Sequence, residues 1–215
     1  MQSADPLSLT GYRHSIYTRI ARMVLHAKGV EFTEIEVNPF VPPLPEGYSH
    51  PFGRVPVLSH GGFTLYETSA IARYVDLAWP GPPLVPQDPQ AAARMQQVIS
   101  IADGYVFRPL VLQVYAHRVF RPLEGLAPDE TQIADGLARA PVILAALDAI
   151  ATESLVLAPA ALTLADCHLA PMIAAFAAAK EGGALLPRYP ALSHWWSAVR
   201  LLPSFRASGR DHMSA

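Results

Sequence analysis

The feature that most constrains the fold is a proline-rich stretch, PGPPLVPQDP, at residues 80–89. A proline has no backbone N–H donor and biases its predecessor away from the helical conformation, so neither a helix nor a central strand can run through this stretch. Before it, short strand-like segments alternate with helical ones, whereas only helical patterns follow it. The sequence therefore predicts two domains, residues 1–80 and 90–215, joined by a proline-rich linker at residues 81–89.

The first domain is predicted to be a small mixed sheet with helices on its faces. A weak strand candidate (6–12) precedes a helix from Ile16 to Gly29, and an alternating polar and apolar stretch from Glu31 to Val37 predicts a half-buried strand. The runs VPVLS and FTLYE flank a Gly61–Gly62 turn, which indicates a β-hairpin, and a helix follows it. The order βαβ and then ββα defines an α/β domain.

The second domain is predicted to be an all-α helical bundle. Its helical patterns cover roughly residues 90–118, 129–151, 163–180 and 190–202. Thr163 and Asp166 stand three positions apart before an apolar run, which is the pattern of a capping box with Asp in place of the usual Glu. The polar tail from Arg206 onward is expected to be frayed.

Composition excludes several function classes. The formal net charge is −2 and no basic run stands out, which argues against nucleic acid or an anionic membrane as a partner. No apolar stretch predicts a transmembrane span or a signal peptide, and the eight histidines show no metal-binding spacing. Cys167 is the one cysteine, so an internal disulfide is impossible. We expect a soluble cytoplasmic protein without a bound metal.

Four segments, in order along the chain, carry a resemblance to a known family. They are HPFGRVPVL, LYETSAIARYV, LTLADCHLAP and YPALSHWWSAVRLLPSF. Together they resemble the glutathione S-transferase family over nearly the full chain. The resemblance implies a thioredoxin-like domain followed by an all-helical domain, a role in detoxification and a homodimer. It also implies glutathione as a cosubstrate, with no permanently bound cofactor.

The resemblance assigns the ends of glutathione to two places in the first domain. The backbone of Val55, before a cis-Pro56, would pair with the cysteinyl unit, while Glu67 and Thr68 would hold the γ-glutamyl end. The residues taken alone have simpler explanations. Pro56 could be a trans proline at the start of a strand, and Thr68 or Ser69 could cap the following helix.

The group that activates the thiol is expected near the end of the first strand. Ser15 falls where omega-like members have Cys and serine-type members have Ser, and Tyr12 is the alternative. Tyr17 falls where some members place an aromatic residue and is an expected glutathione contact, but Ile16 replaces the usual Pro. Ser15 could equally serve only as the N-cap of the helix that begins at Ile16.

Two further sets of residues follow from the resemblance. Relatives hold the glycine carboxylate of glutathione with a basic residue, yet no Lys or Arg occurs between Val30 and Gly53, so His50 and Arg54 are the local substitutes. Phe52 falls where some relatives insert an aromatic side chain into the partner subunit, although a core or surface position is equally consistent. The electrophile pocket is expected on the first long helix of the second domain, at Tyr105, Phe107 and Tyr115.

These assignments predict an enzyme that conjugates the glutathione thiolate to a small apolar electrophile. Ile16 and the missing basic residue motivate an alternative, a non-catalytic binding or carrier protein with the same fold. A specialised glutathione-dependent isomerase or dehalogenase is a third possibility.

Overall fold

The computed structural model describes residues 5–159 and 161–209. These residues form two compact units. One comprises residues 5–84 together with residues 203–209, and the other comprises the described part of residues 85–202. The second unit begins within the predicted linker, and the short segment 203–209 belongs to the first unit although it lies at the far end of the chain. The domain bounds given above stay a prediction.

The first unit contains a four-stranded sheet and two principal helices. The strands are β1 (Leu7–Gly11), β2 (Thr33–Glu36), β3 (Val57–His60) and β4 (Phe63–Tyr66), and the helices are α1 (Ile16–Ala27) and α2 (Thr68–Ala78). The strand order is β2-β1-β3-β4, with β1 parallel to β2 and antiparallel to β3. The predicted fold class, an α/β thioredoxin-like unit followed by helices, is confirmed.

The β3–β4 hairpin forms as the sequence predicts. His60 pairs with Phe63, so only Gly61 and Gly62 remain in the turn. Gly61 has a φ of 57°, a conformation that glycine adopts without steric cost and that a two-residue hairpin turn requires. Apolar side chains of β1 and β3, such as Leu9 and Leu58, are buried together with the apolar stripe of α1.

The prediction of a half-buried strand at 31–37 is wrong in its burial. All four residues of β2 are exposed, and Ile35 keeps 46% of its surface. The reason is position, because β2 lies at the edge of the sheet and pairs only with β1. The alternation of polar and apolar residues cannot tell an edge strand from an inner one.

A buried ion pair connects α1, α2 and the proline-rich stretch. The Lys28 Nζ atom lies 3.3 Å from Asp76 Oδ1, and their side chains are 1% and 4% exposed. The same ammonium donates to the carbonyls of Asp76 and Pro82, both at 3.2 Å, and Asp76 Oδ1 accepts the Leu84 N–H at 2.8 Å. The start of the linker is therefore fixed to the ends of both helices.

The described part of the second unit consists of helices and the turns between them, with no strand, as predicted. Helix α3 (Pro89–Ile101) continues into a π-helical segment, Ala102–Phe120, and a short α4, Arg121–Leu123. The remaining helices are α5 (Glu130–Thr152), α6 (Leu164–Ala178), α7 (Lys180–Leu185), a 3₁₀ turn (Leu186–Arg188) and α8 (Pro190–Val199). Pro89 occupies the first turn of α3, where a missing N–H costs nothing.

The predicted capping box at the start of α6 is confirmed. Asp166 Oδ2 accepts the Thr163 N–H and hydroxyl, both at 2.6 Å, and Asp166 Oδ1 accepts the indole N–H of Trp195 at 2.6 Å. Burial raises the pKa of the Asp166 carboxyl above its ordinary value. This carboxyl therefore joins the N-terminus of α6 to α8.

The expectation of a frayed tail from Arg206 is wrong for its first residues. Helix α9 (Pro203–Ser208) packs on α1 in the first unit, and both Phe205 and Ser208 are buried. The Arg19 guanidinium lies 4.5 Å from the centre of the Phe205 ring, a cation–π contact. A tertiary contact of this kind has no signature in the local sequence. Residues 210–215 lie outside the described residues.

The described residues contain no single membrane-spanning helix and no metal-binding group of side chains. No single helix within residues 5–159 and 161–209 is long and apolar enough to cross a bilayer. One pair of helical segments, Leu164–Ala178 and Lys180–Arg188, is long and apolar enough only when taken together, and it is bent by 105°. Within the same residues, no three His, Cys, Asp or Glu side chains are grouped to hold a metal ion.

Candidate active site

Strand register brings three predicted site segments to the same end of the sheet. Val57, the first residue of β3, pairs with Thr10 near the end of β1 and with Tyr66 at the end of β4. The segment before β3 therefore lies between the turn that follows β1 and the turn that follows β4. These three turns carry Tyr12 and Ser15, then Val55 and Pro56, then Glu67 and Thr68.

The β1–α1 turn places the Ser15 hydroxyl at the N-terminus of α1. Ser15 is the N-cap residue, and its Oγ atom accepts the Thr18 N–H at 3.2 Å. The Oγ1 atom of Thr18 in turn accepts the Tyr12 N–H at 3.3 Å. Gly11 makes this packing possible, since a Cβ atom there would lie 2.2 Å from the Thr18 methyl group. The expected capping role of Ser15 is confirmed, and it leaves the hydroxyl hydrogen available to a ligand.

The segment before β3 has the predicted cis bond. The Val55–Pro56 peptide is cis, Pro56 is buried and Val55 is half-buried. The Tyr48 hydroxyl donates a hydrogen bond to the Arg54 carbonyl and so holds the chain just before Val55. Among the described residues, the backbone N–H and C=O of Val55 make no hydrogen bond. They can accept an extended ligand as an added strand.

Glu67 has an unusual backbone at the β4–α2 turn. Its φ is 69° and its ψ is 116°, outside the regions that side-chain-bearing residues prefer. Non-glycine residues in such conformations cluster at ligand sites, where surrounding structure maintains them. Glu67 is also the N-cap of α2 but makes no side-chain cap hydrogen bond, so its exposed carboxylate is available to a ligand.

Thr68 and Ser69 do not cap α2, contrary to the simpler explanation of the sequence. Thr68 is already the first helical residue and is buried, while Ser69 is exposed. Helix α2 therefore begins with backbone N–H groups that no capping side chain covers. The N-terminus of a helix with open N–H groups favours an anion, while the neighbouring Glu67 carboxylate favours a cation.

The loop before Arg54 contains a buried histidine. His50 Nδ1 accepts the Phe52 N–H at 3.2 Å, and burial is the main cause that lowers the pKa of His50 below its ordinary value. A neutral, buried imidazole is poorly suited to hold a carboxylate. Arg54 is exposed and is the better candidate of the two substitutes named from the sequence.

The sequence did not reveal that Phe40 lies near the candidate site at this end of the sheet. Its side chain is 80% exposed, and its ring lies edge-to-face on Tyr12, with 6.1 Å between ring centres. Tyr12 also contacts the His14 ring at 5.2 Å. Phe40 lies in the long connection between β2 and β3, whose path is set by tertiary contacts. A loop aromatic next to Pro39 gives no periodic signal that could have predicted this contact.

The residues predicted for an electrophile pocket lie in the second unit. Tyr105, Phe107 and Tyr115 all belong to the π-helical segment, as expected from the sequence. Tyr105 is 67% exposed, while Phe107 and Tyr115 are half-buried. Tyr17 belongs to the first unit and is half-buried in the first turn of α1.

Comparison with known proteins gives a consistent result. The model of the glutathione S-transferase N-terminal domain matches residues 9–83, a range that includes all three turns. A glutathione S-transferase of Hypomyces subiculosus, hmp2, is 30% identical over 154 residues, which cover 70% of this chain and 72% of that protein. The chain belongs to the glutathione S-transferase family.

Solved structures of the family agree over nearly the whole chain. Glutathione S-transferase III in its apo form superposes with a TM-score of 0.85 and 26% identity, covering 98% of both chains. The theta class enzyme of Xanthomonas axonopodis pv. citri with glutathione bound gives a TM-score of 0.79 and 25% identity, covering 98% of this chain and 99% of that one. The glutathione S-transferase fold is thus shared from the first strand to α9.

Proposed function

We propose that this glutathione S-transferase joins the thiolate of glutathione to a small apolar electrophile. The observation that carries the proposal is the convergence of three chemically distinct groups at one end of the sheet. They are a hydroxyl on a helix N-terminus (Ser15), an unpaired backbone segment (Val55) and a carboxylate beside open helix N–H groups (Glu67). Each matches one part of the tripeptide.

The γ-glutamyl end fits the β4–α2 turn. That end carries an ammonium and a carboxylate on the same carbon atom. The Glu67 carboxylate would receive the ammonium, and the open N–H groups at the start of α2, with the Thr68 hydroxyl, would receive the carboxylate. Charge-assisted hydrogen bonds of this kind are about twice as strong as neutral ones. The match explains why an acid and a helix N-terminus stand side by side.

The middle and the far end of the tripeptide fit the segment before β3. The Val55 N–H and C=O would pair with the cysteinyl unit, because they lie at a strand end and have no other partner among the described residues. The exposed Arg54 guanidinium would receive the glycine carboxylate. The cysteinyl unit would then lie between the turn that holds Glu67 and the turn that holds Ser15.

Ser15 would stabilise the thiolate. A thiol has an ordinary pKa of about 8.5, and lowering it by two units needs about 2.7 kcal/mol of thiolate stabilisation. A hydrogen bond from the Ser15 hydroxyl to the sulfur, aided by the positive end of α1, is of this order. The first turn of α1 contains no acidic residue that would oppose it.

Several finer assignments belong to the same proposal. Tyr17 would contact glutathione, and Tyr105, Phe107 and Tyr115 would contact the electrophile. The active form would be a cytoplasmic homodimer that takes part in detoxification. Support comes from the family and, for the dimer, from the exposed Phe52, which keeps 70% of its surface.

Titration of bound glutathione tests the function directly. The ultraviolet absorbance of the thiolate is followed against pH with the protein saturated by glutathione. A thiol pKa depressed by about one unit or more is the expected result, and glutathione turnover with a model electrophile should follow the same curve. Binding without a depressed pKa would instead support the carrier protein.

A further inference from the structure

His50 connects the two parts of the proposed glutathione site. Its Nδ1 atom accepts the Phe52 N–H at 3.2 Å, and its carbonyl accepts the Gly53 N–H at 3.0 Å. These bonds shape the loop that leads into Arg54 and Val55. The imidazole also packs on Tyr66, with 4.9 Å between ring centres.

The contact between His50 and Tyr66 links the loop to the β4–α2 turn. Tyr66 is the last residue of β4 and directly precedes Glu67. The His50 ring therefore touches the residue before the Glu67 carboxylate and holds the loop before the Val55 backbone. Only 6% of the surface of His50 is exposed, so water does not replace these contacts.

The hydrogen bond at Nδ1 defines a protonation state. A backbone N–H can only donate, so Nδ1 must act as an acceptor and the ring proton must lie on Nε2. Protonation of the ring would place a second donor at Nδ1, facing the Phe52 N–H. The neutral ring is thus the form that stabilises this loop.

The charged groups around His50 have opposite effects on the pKa of its ring. The Glu67 carboxylate favours the protonated ring and the Arg54 guanidinium opposes it. Tyr66 packs on the ring, and Tyr48 holds the Arg54 carbonyl. Burial outweighs the effect of Glu67, and the pKa of His50 is lowered.

We infer that His50 is a positioning residue that holds Val55 and Glu67 in their glutathione-binding arrangement while its ring is neutral. The inference rests on the proposed function, since it concerns the binding of the same ligand. Because the pKa of His50 lies below the ordinary value of histidine, the ring becomes protonated, and glutathione binding weakens, only in acid below that ordinary value. The chemistry at Ser15 would not be affected directly.

Two substitutions at His50 distinguish loss of the hydrogen-bond acceptor from loss of the titratable ring. In His50→Asn, the side-chain oxygen can take the place of Nδ1 as acceptor but does not titrate. In His50→Leu, the acceptor is lost. His26→Asn is the matched control, because His26 lies in the last turn of α1, at the opposite end of that helix from Ser15, and contacts Phe32. Circular dichroism and thermal unfolding establish that each variant is folded.

The ligand is S-methylglutathione, which keeps both ends of glutathione but has no ionisable thiol. Its Kd is measured by calorimetry between pH 5.5 and 8. Binding to the wild type and to His26→Asn should weaken as pH falls, whereas His50→Asn should bind with a Kd that varies little with pH. His50→Leu should bind roughly three- to tenfold more weakly at pH 8, the effect of one lost hydrogen bond.

The outcomes separate the inference from the proposed function. If the folded wild type binds no S-methylglutathione, the proposed function is wrong and the inference falls with it. If the wild type binds but His50→Leu has the same Kd and pH profile, only the inference is wrong. Equal weakening in His50→Asn and His50→Leu would likewise overturn it, because the acceptor would then have no role.

Discussion

The Ser15 Oγ atom accepts the backbone N–H of Thr18 at 3.2 Å, so the hydroxyl proposed to stabilise the thiolate is also the cap of α1. The two roles use different parts of the same group. The helix takes a lone pair of the oxygen, and a thiolate would take the hydrogen. Capping also orients the hydroxyl before any ligand binds.

These two roles can be separated by substitution. Ser15→Ala should lose both, with a destabilisation of about 1 kcal/mol and a rise in the pKa of bound glutathione toward its value in water. Ser15→Asp should keep the cap and the stability, since Asp caps as well as Ser, but its negative charge should oppose the thiolate. Thiolate absorbance and thermal unfolding measure the two effects. A normal pKa shift in Ser15→Ala, together with its loss in Tyr12→Phe, would assign the role to Tyr12.

Glu67 should be required for binding but not for folding. Glu67→Gln removes the charge that would receive the ammonium, so the Kd of glutathione should rise about tenfold to a hundredfold. Glu67→Gly should also lose binding but should fold at least as stably, because glycine adopts a φ of 69° without strain. Calorimetry and chemical unfolding check both, with the exposed Glu46→Gln as control. Unchanged affinity in Glu67→Gln would contradict the assignment.

The buried ion pair of Lys28 and Asp76 should contribute more to the free energy of unfolding than the half-exposed Arg73 beside it. Lys28→Met leaves the Asp76 carboxylate buried and without its ammonium, which costs about 3–5 kcal/mol in comparable buried pairs. Arg73 lies 3.8 Å from the same carboxylate but is half exposed, so Arg73→Met should change stability by less than about 1 kcal/mol. Urea unfolding monitored by fluorescence compares the two. Equal effects would mean that burial does not govern this pair.

Asp166 should make stability depend on pH. Burial raises the pKa of its carboxyl in the folded state, so the folded chain keeps this proton to a higher pH than the unfolded chain does. Stability from this group is therefore present below the unfolded pKa and is lost as pH rises through the folded pKa. Asp166→Asn should remove this dependence and cost about 1–3 kcal/mol, because an amide NH₂ cannot accept from Trp195 or Thr163.

Unfolding free energies between pH 4 and pH 8 test the prediction for Asp166. The exposed carboxylate of Asp135 serves as the control in Asp135→Asn. An identical pH dependence in the wild type and in Asp166→Asn would show that another group is responsible.

The proposed homodimer would use the exposed aromatic Phe52 at its interface. Phe52 keeps 70% of its surface, and its backbone is fixed by the hydrogen bond to His50. Removing this side chain should weaken association, so Phe52→Ser should have the mass of a single chain by light scattering while the wild type has twice that mass. Phe63→Ser, which changes another exposed phenylalanine on β4, is the control. A wild-type protein that is monomeric at all concentrations would contradict the proposal.

Local sequence patterns predicted the elements well where one residue controls the conformation. The Gly61–Gly62 turn and the capping box at Thr163 and Asp166 each depend on neighbours within a few residues. The same kind of pattern failed for β2, since this strand lies at the edge of the sheet and little of the chain covers its side chains. It also failed for α9, whose order depends on packing against α1 from the far end of the chain.

The site shows the same division. The sequence by itself determined which groups are present: a hydroxyl before a helix, a Val-Pro pair before a strand and an acid before the next helix. Only the tertiary structure decided that they lie at the same end of the sheet, because Val57 pairs with both Thr10 and Tyr66. It also decided that His50 is buried against Tyr66 and that Phe40 contacts Tyr12. Strand register and burial are set by contacts between residues distant in sequence, which no local pattern contains.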